Sequence, residues 1–172
     1  DSEDSEAILA QIEDKEESDD LRERASYPWD SAGGLMSDQV LSLPTEATVR
    51  DVLADLEENS VEYTDADVQY FYVVDGEKRL KGVLSLRGLV LGRRATPIEQ
   101  LMRPDPMSVS VHTKLDELED LFEEKDYFGF PAVDDAGRLR GVVSRRSVDE
   151  ALSENRTEDY LKAAGIVGGE EL

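Results

Sequence analysis

Two serines open two copies of one phrase, Ser85-Leu86-Arg87-Gly88 and Ser144-Arg145-Arg146-Ser147, with Ser85 and Ser144 59 residues apart. A serine hydroxyl at a helix start can cap the free backbone amides there or stand beside a phosphate oxygen. Arg87, Arg145 and Arg146 fall in the first turn, where a cation is unfavourable by roughly a few tenths of a kcal/mol unless an anion faces it. Phosphate would be one such anion. The chain's own carboxylates would be another and the cheaper remedy, since 41 Asp and Glu stand against 19 Lys and Arg.

That imbalance leaves a formal net charge of −22 over 172 residues. Nucleic acid and anionic membrane surfaces would be repelled, so neither is an expected partner. Cations are favoured, whether metal ions or a basic protein; the alternative is a solubilising surface of the kind a salt-loving source would use. The chain has no cysteine and a single histidine, His112, which leaves no thiolate metal site, no disulfide framework and no paired nucleophile. Phosphate-binding loops of the Walker type, HExxH and zinc spacings are also missing, and a non-catalytic protein is expected. With no 18-residue apolar run and no signal peptide, the chain is expected neither to enter a membrane nor to be secreted. It begins at Asp1, as an excised piece would.

The elements that must position these residues come in two sets. Tyr70-Phe71-Tyr72-Val73-Val74-Asp75-Gly76 leads into Leu80-Lys81-Gly82-Val83-Leu84-Ser85, and Phe130-Pro131-Ala132-Val133-Asp134-Asp135-Ala136-Gly137 leads into Leu139-Arg140-Gly141-Val142-Val143-Ser144. One unit is therefore used twice, and two units of this size must share a packed core to be stable. The first unit reads as a strand over 40–43, then a helix opened by Thr48 with Asp51 in a capping-box arrangement and Val49, Val52, Leu53 and Leu56 on one face. A strand over 69–74, a turn, a strand over 80–84 and a helix follow, the last with Leu86, Leu89 and Val90 inward. The second reads as a strand over 107–111, a helix capped by Thr113 with Leu115, Leu118, Leu121 and Phe122 inward, strands over 130–133 and 139–143, and a helix from Ser144. The order β-α-β-β-α occurs twice, an α+β fold.

Residues 1–26 carry eleven acids against three bases. With only Ile8, Leu9, Ile12, Leu21 and Ala25 to form an apolar stripe, they read as short helices without a partner, the remnant of an upstream domain. Residues 27–36 are a linker in which Trp29 packs on the core or on a partner. The units occupy 37–94 and 95–155, with Leu35-Met36 and Leu101-Met102 before them. Thr157-Glu158-Asp159 starts a further helix ending near Gly165, and 156–172 read as that connecting helix with a loose tail.

The duplicated strand, turn, Leu-x-Gly-Val-x-Ser and helix resemble a tandem pair of cystathionine-β-synthase-type (CBS) domains over about residues 32 to 152. The flanks Tyr27-Pro28-Trp29-Asp30-Ser31-Ala32-Gly33-Gly34-Leu35-Met36 and Thr157-Glu158-Asp159 look like the borders of the CBS pair in MgtE-type magnesium transporters. That resemblance implies a regulatory fragment on the cytoplasmic face of the plasma (inner) membrane, partnered by the protein's own N-domain and transmembrane pore. It also implies a homodimer formed through the CBS domains, which binds Mg2+ between acidic surfaces and holds the pore closed. Carried over residue by residue, it implies metal ligands at Asp126, Glu158 and Asp159, at Glu150 in place of an aspartate, and at Asp116 in an acidic ligand region. Ser147, Asn155 and Lys114 stand where the family has carboxylates, so the number of ions should differ.

Many CBS pairs hold adenosine nucleotides between the units, with a serine or threonine near the phosphates and an aspartate three residues later on the ribose. Tyr70, Ser85, Arg87, Phe128 and Pro131 are the residues such a ligand would meet here. Gly88 and Ser147 replace both aspartates, which counts against ATP or AMP. The aromatic side chains Tyr70, Tyr127 and Phe128 are expected in the core. A nucleotide-sensing pair that regulates an enzyme or another transporter is the alternative function.

Overall fold

The computed structural model describes residues 11, 15, 17–63 and 69–165. Two helices come first, α1 (residues 17–26) and α2 (Ala32–Leu35). The first unit then runs β1 (Ser42–Pro44), α3 (Val49–Glu58), α4 (Ser60–Tyr63), β2 (Tyr70–Val74), β3 (Leu80–Ser85), α5 (Leu86–Leu91), α6 (Ile98–Leu101) and β4 (Arg103–Pro104). The second runs β5 (Val109–Ser110), α7 (Leu115–Glu124), β6 (Gly129–Val133), β7 (Leu139–Ser144) and α8 (Arg145–Ala163). Each unit has a first strand parallel to the next and an antiparallel pair after it, giving sheets β1-β2-β3-β4 and β5-β6-β7.

Periodicity explains which faces are buried. Phe71 and Val73 of β2, with Leu84 of β3, pack against Val49 and Val52 of α3 and Leu89 of α5. In the second unit Phe130, Ala132 and Val143 pack with Leu115, Leu118 and Phe122 of α7 and Val148 of α8. Residues at i, i+3 and i+7 of α7 thus face one way while its acids face outward.

The two Leu-Met pairs pack away from the unit each one precedes. Leu35 and Met36 join the core of the second unit, and Leu101 and Met102 join that of the first. Ser37 exchanges both backbone hydrogen bonds with Val142 at 2.9 Å, just as Arg103 pairs with Val83 in β3. The glycine of each Leu-x-Gly-Val-x-Ser is the point where that segment crosses. A Cβ on Gly141 would lie 2.6 Å from the Ser37 carbonyl oxygen, and one on Gly82 would meet Met102 and the Arg103 carbonyl.

The two turns meet as well. Leu80 N–H donates to the Gly137 carbonyl at 3.1 Å and Leu139 N–H to that of Lys78 at 2.9 Å, across a bridge between Arg79 and Arg138. Lys78 and Gly137 are equivalent and both have positive φ, 63° and 78°. Asp75 and Asp134 clamp these turns, each Oδ1 accepting two backbone N–H groups. The Arg79 amide leads in holding Asp75 below the usual carboxylate range, against some desolvation. Burial would raise Asp134, but the Arg138 amide, the Arg138 side chain and the Ala136 amide outweigh it and the net shift is downward.

Several sequence expectations are corrected. Leu86 and Val90 are exposed, leaving Leu89 alone as the buried residue of α5. The α7 N-cap is Lys114, not Thr113, with no side-chain cap; the Leu115 amide instead donates to the Asp30 carbonyl at 2.8 Å. Thr48 does make its capping box with Asp51. Thr157 lies inside the continuous α8, where its hydroxyl bonds back to the Ser153 carbonyl at 2.9 Å, so no new helix starts there. Trp29 is 58% exposed and does not pack into the core. The helix α1 has a partner: Arg140, only 14% exposed, holds Asp20 at 3.2 Å and Glu23 at 2.6 Å, and Arg24 pairs with Asp38. Charge fastens it rather than an apolar stripe, since Leu21 and Ala25 are exposed; Ile8, Leu9 and Ile12 lie outside the described residues.

Candidate functional site

The duplicated serines act as helix caps. Ser85 Oγ accepts the Gly88 N–H at 3.0 Å and Ser144 Oγ accepts that of Ser147 at 3.1 Å. Ser147 Oγ in turn donates to the Ser144 carbonyl at 2.9 Å, which turns it back on its own helix.

The three first-turn arginines meet different fates. Arg146 pairs with Glu150 one turn on, at 2.9 Å, as expected of a carboxylate partner. Arg145 has no ion pair among the described residues and instead gathers backbone carbonyls, reaching Phe122 at 2.7 Å, Lys125 at 2.8 Å and Tyr127 at 3.1 Å, with its guanidinium 5.1 Å from the Phe122 ring centre. Arg87 is exposed and has no ion pair among the described residues. The aromatic residues read as core are exposed instead: Tyr70 and Tyr127 about half, and Phe128 73%. Tyr70 stands opposite Ser85 in register, and Pro131 is buried in β6 opposite Val142.

The candidate metal ligands all lie in the second unit, on α7, α8 and the loop between α7 and β6. Asp116 lies in the first turn of α7, Asp126 in the loop after it, and Glu150, Glu158 and Asp159 along the exposed part of α8. Glu150 is paired with Arg146 and Glu158 with Lys162 at 2.8 Å. Asp126 is exposed, and its carboxylate has no hydrogen bond or ion pair among the described residues. Among the described residues no group of three or more acids or histidines is gathered closely enough to hold a metal ion. The donor chemistry suits a hard cation that keeps most of its waters, but one copy of the chain leaves the donors apart.

A groove between α7 and α8 is lined by Trp29, Asp30, Lys114, Asp116, Glu119, Asn155 and Arg156, among others. Its charges are partly answered from within, Lys114 reaching Asp30 at 3.6 Å and Arg156 reaching Glu119 at 3.2 Å. Sequence reasoning missed Arg156 and Arg140, because what marks them is a partner far along the chain. Beyond Leu152, α8 has no buried residue and carries Glu154, Glu158, Asp159 and Tyr160 in the open. His112 is exposed, its ring 3.8 Å from Asp135, and its backbone N–H donates to the Ser110 hydroxyl at 3.1 Å.

A duplicated α+β module with a helix-capping serine at the same place in each copy belongs to the class of tandem paired domains. The chain is a member of the CBS domain family, which it matches over residues 32–92 and 98–154. It is 36% identical over 143 residues to the magnesium transporter MgtE of Thermus thermophilus, covering 83% of this chain and 31% of that protein. It is 31% identical over 139 residues to the MgtE of Bacillus subtilis, covering 81% and 30%. The chain thus spans about a third of the length of these curated relatives. The crystal structure of the cytosolic domain of the Mg2+ channel MgtE in complex with ATP superposes with a TM-score of 0.68 at 35% identity, covering 77% of this chain and 52% of that one. The pair resembles the MgtE regulatory region, and no described helix is long and apolar enough to cross a membrane.

Proposed function

We propose that the chain is the Mg2+-sensing regulatory module of an MgtE-like magnesium transporter, non-catalytic and dimeric, working on the cytoplasmic face of the membrane and restraining a pore that lies elsewhere in the protein. The observation that carries this reading is the extent of the match to the Thermus MgtE. Its 143 residues exceed the 123 from 32 to 154, so the likeness continues into the flanks beyond the CBS units. Physics supplies the mechanism. Two copies, each at −22, repel one another until cations stand between their acidic faces. Asp126, Glu150, Glu158, Asp159 and Asp116 are the proposed donors, completed by a second copy or by the upstream domain, with magnesium keeping several of its waters.

The test is thermal unfolding and solution scattering with magnesium chloride against sodium chloride of equal ionic strength. At magnesium about 100 times Kd, binding to the folded form contributes about 2.7 kcal/mol, which for a chain of this size raises Tm by roughly 5–10 °C. The particle should also become more compact. Equal effects from the two salts would leave screening as the whole explanation.

A nucleotide-sensing pair is the second reading, favoured by one observation: a solved relative, the cytosolic domain of the Mg2+ channel MgtE, is in complex with ATP. In this chain Gly88 offers no ribose acceptor and the Ser147 hydroxyl is turned to its own helix. Calorimetry with ATP, ADP and AMP is therefore expected to show no saturable binding. Tight binding abolished by Arg87→Ala would establish the second reading instead.

A further inference from the structure

Arg145 sits in the first turn of α8, where its charge opposes that helix's own dipole. Its guanidinium is turned instead to the C-terminal end of α7, whose last carbonyls have no partner within the helix. Nη2 donates to the Phe122 carbonyl at 2.7 Å and to that of Lys125 at 2.8 Å, and Nε donates to that of Tyr127 at 3.1 Å. The Arg145 amide adds a bond to the Phe128 carbonyl at 2.8 Å. One residue thus holds the carbonyls on both sides of Asp126. The ring of Phe122 lies under the same guanidinium, and Tyr127 is fixed edge-on against Phe130 at 5.5 Å. Asp126, between these anchors, is exposed with a carboxylate that makes no hydrogen bond or ion pair among the described residues. The first unit has Leu86 in the equivalent place, exposed on α5, where its amide keeps the bond to the Gln69 carbonyl at 3.0 Å but no guanidinium is present.

We infer that Arg145 is the positioning residue that fixes the 125–128 loop and thereby presents Asp126 to a divalent cation; this rests on the proposed magnesium-sensing role. A loop of four residues that had to be ordered on binding would lose affinity to the entropy of ordering, and a clamp already in place removes that cost. Guanidinium geometry suits the task, because its fork reaches several acceptors at once, whereas a lysine ammonium is a point charge.

The test uses the full 172-residue chain with Arg145→Met, Arg145→Lys, Asp126→Asn and the double variant Arg145→Met with Asp126→Asn. Two quantities are read. The first is the backbone order of residues 126–128 by nitrogen relaxation without metal, and the second is the midpoint of the magnesium-specific change in amide shifts. Arg145→Met is expected to take the order parameters from about 0.85 to below about 0.6. It should also raise the magnesium midpoint by about tenfold, the usual effect of losing a residue that orients a ligand. Arg145→Lys should lie between, and it carries the test if the methionine variant does not fold. The double variant should be no worse than Asp126→Asn alone. Unchanged loop order in Arg145→Met would overturn the clamp. Loss of order with an unmoved midpoint, while Asp126→Asn moves it, would show that the loop need not be held. An unmoved midpoint in Asp126→Asn would remove Asp126 as a ligand, and the positioning role with it. The magnesium-sensing reading itself fails only if the unaltered chain shows no magnesium-specific midpoint.

Discussion

Alanine at Phe130 is expected to lower the unfolding free energy by about 4 kcal/mol. Phe130 is 1% exposed on β6, the middle strand of the second sheet. Its ring lies 4.7 Å from that of Phe122 and 5.5 Å from that of Tyr127, both in tilted or edge-on arrangements. Truncation therefore removes one of the largest fully buried side chains, two ring pairs and the volume between them, and strand β6 cannot move inward because it is bonded on both sides. Phe128, two residues earlier and 73% exposed, is the matched control: its alanine variant should change stability by less than about 0.5 kcal/mol. Urea unfolding followed by far-ultraviolet circular dichroism reads both. Equal losses at the two positions would contradict the assignment of Phe130 to the core.

Elements governed by near neighbours were legible in the sequence. The twofold use of one unit follows from a phrase repeated at a constant offset of 59, and the elements within each copy, the Thr48-Asp51 cap and the buried stripes of α3 and α7 follow from spacing within a dozen residues. What escaped depends on partners far along the chain. Leu35-Met36 and Leu101-Met102 read as introductions to the units that follow them, yet each crosses to the other unit, and no local pattern encodes that exchange. The stretch after Asp75 reads as a turn, but nothing local in it marks Lys78, rather than Gly76, as the residue with positive φ, matched by Gly137; the two turns bond to one another at these positions. The repeat offset of 59 also fails upstream of β2: Val49 and Leu115 are 66 apart, the first unit being seven residues longer between its helix and β2.

The site was less legible than the fold. First-turn arginines signalled a missing anion, which holds for Arg146. The need of Arg145 is met by carbonyl dipoles at the end of a helix more than twenty residues upstream. The acids that the resemblance singled out do not converge within one copy, and composition alone could not have separated Asp126 from the other carboxylates. The structure separates it by its anchoring: the carbonyls of Lys125 and Tyr127 on either side are held by Arg145, while its carboxylate has no partner among the described residues.

Gly141→Ala should cost about 2–3 kcal/mol, near the upper end for overpacking, and should do so by undoing the exchange between units. The added Cβ would lie 2.6 Å from the Ser37 carbonyl oxygen and 2.9 Å from Met36 Cγ and Sδ. Met36 can rotate, but the Ser37 carbonyl is the acceptor of the Val142 amide and cannot retreat without breaking that bond. Strain therefore passes to the segment from Ser31 to Ser37, which carries Ala32 and Met36 into the second core. Gly82→Ala should be milder, since its Cβ meets mainly the flexible Met102 side chain, with the Arg103 carbonyl oxygen farther off at 3.0 Å. Gly76→Ala, with open space around it, should stay within about 0.5 kcal/mol. Urea midpoints ranked Gly141→Ala lowest, then Gly82→Ala, then Gly76→Ala would support the crossing segments as the tie between the units. If Gly141→Ala matched Gly76→Ala, the Ser37 segment would not be held against β7, and the second core would have to close without it.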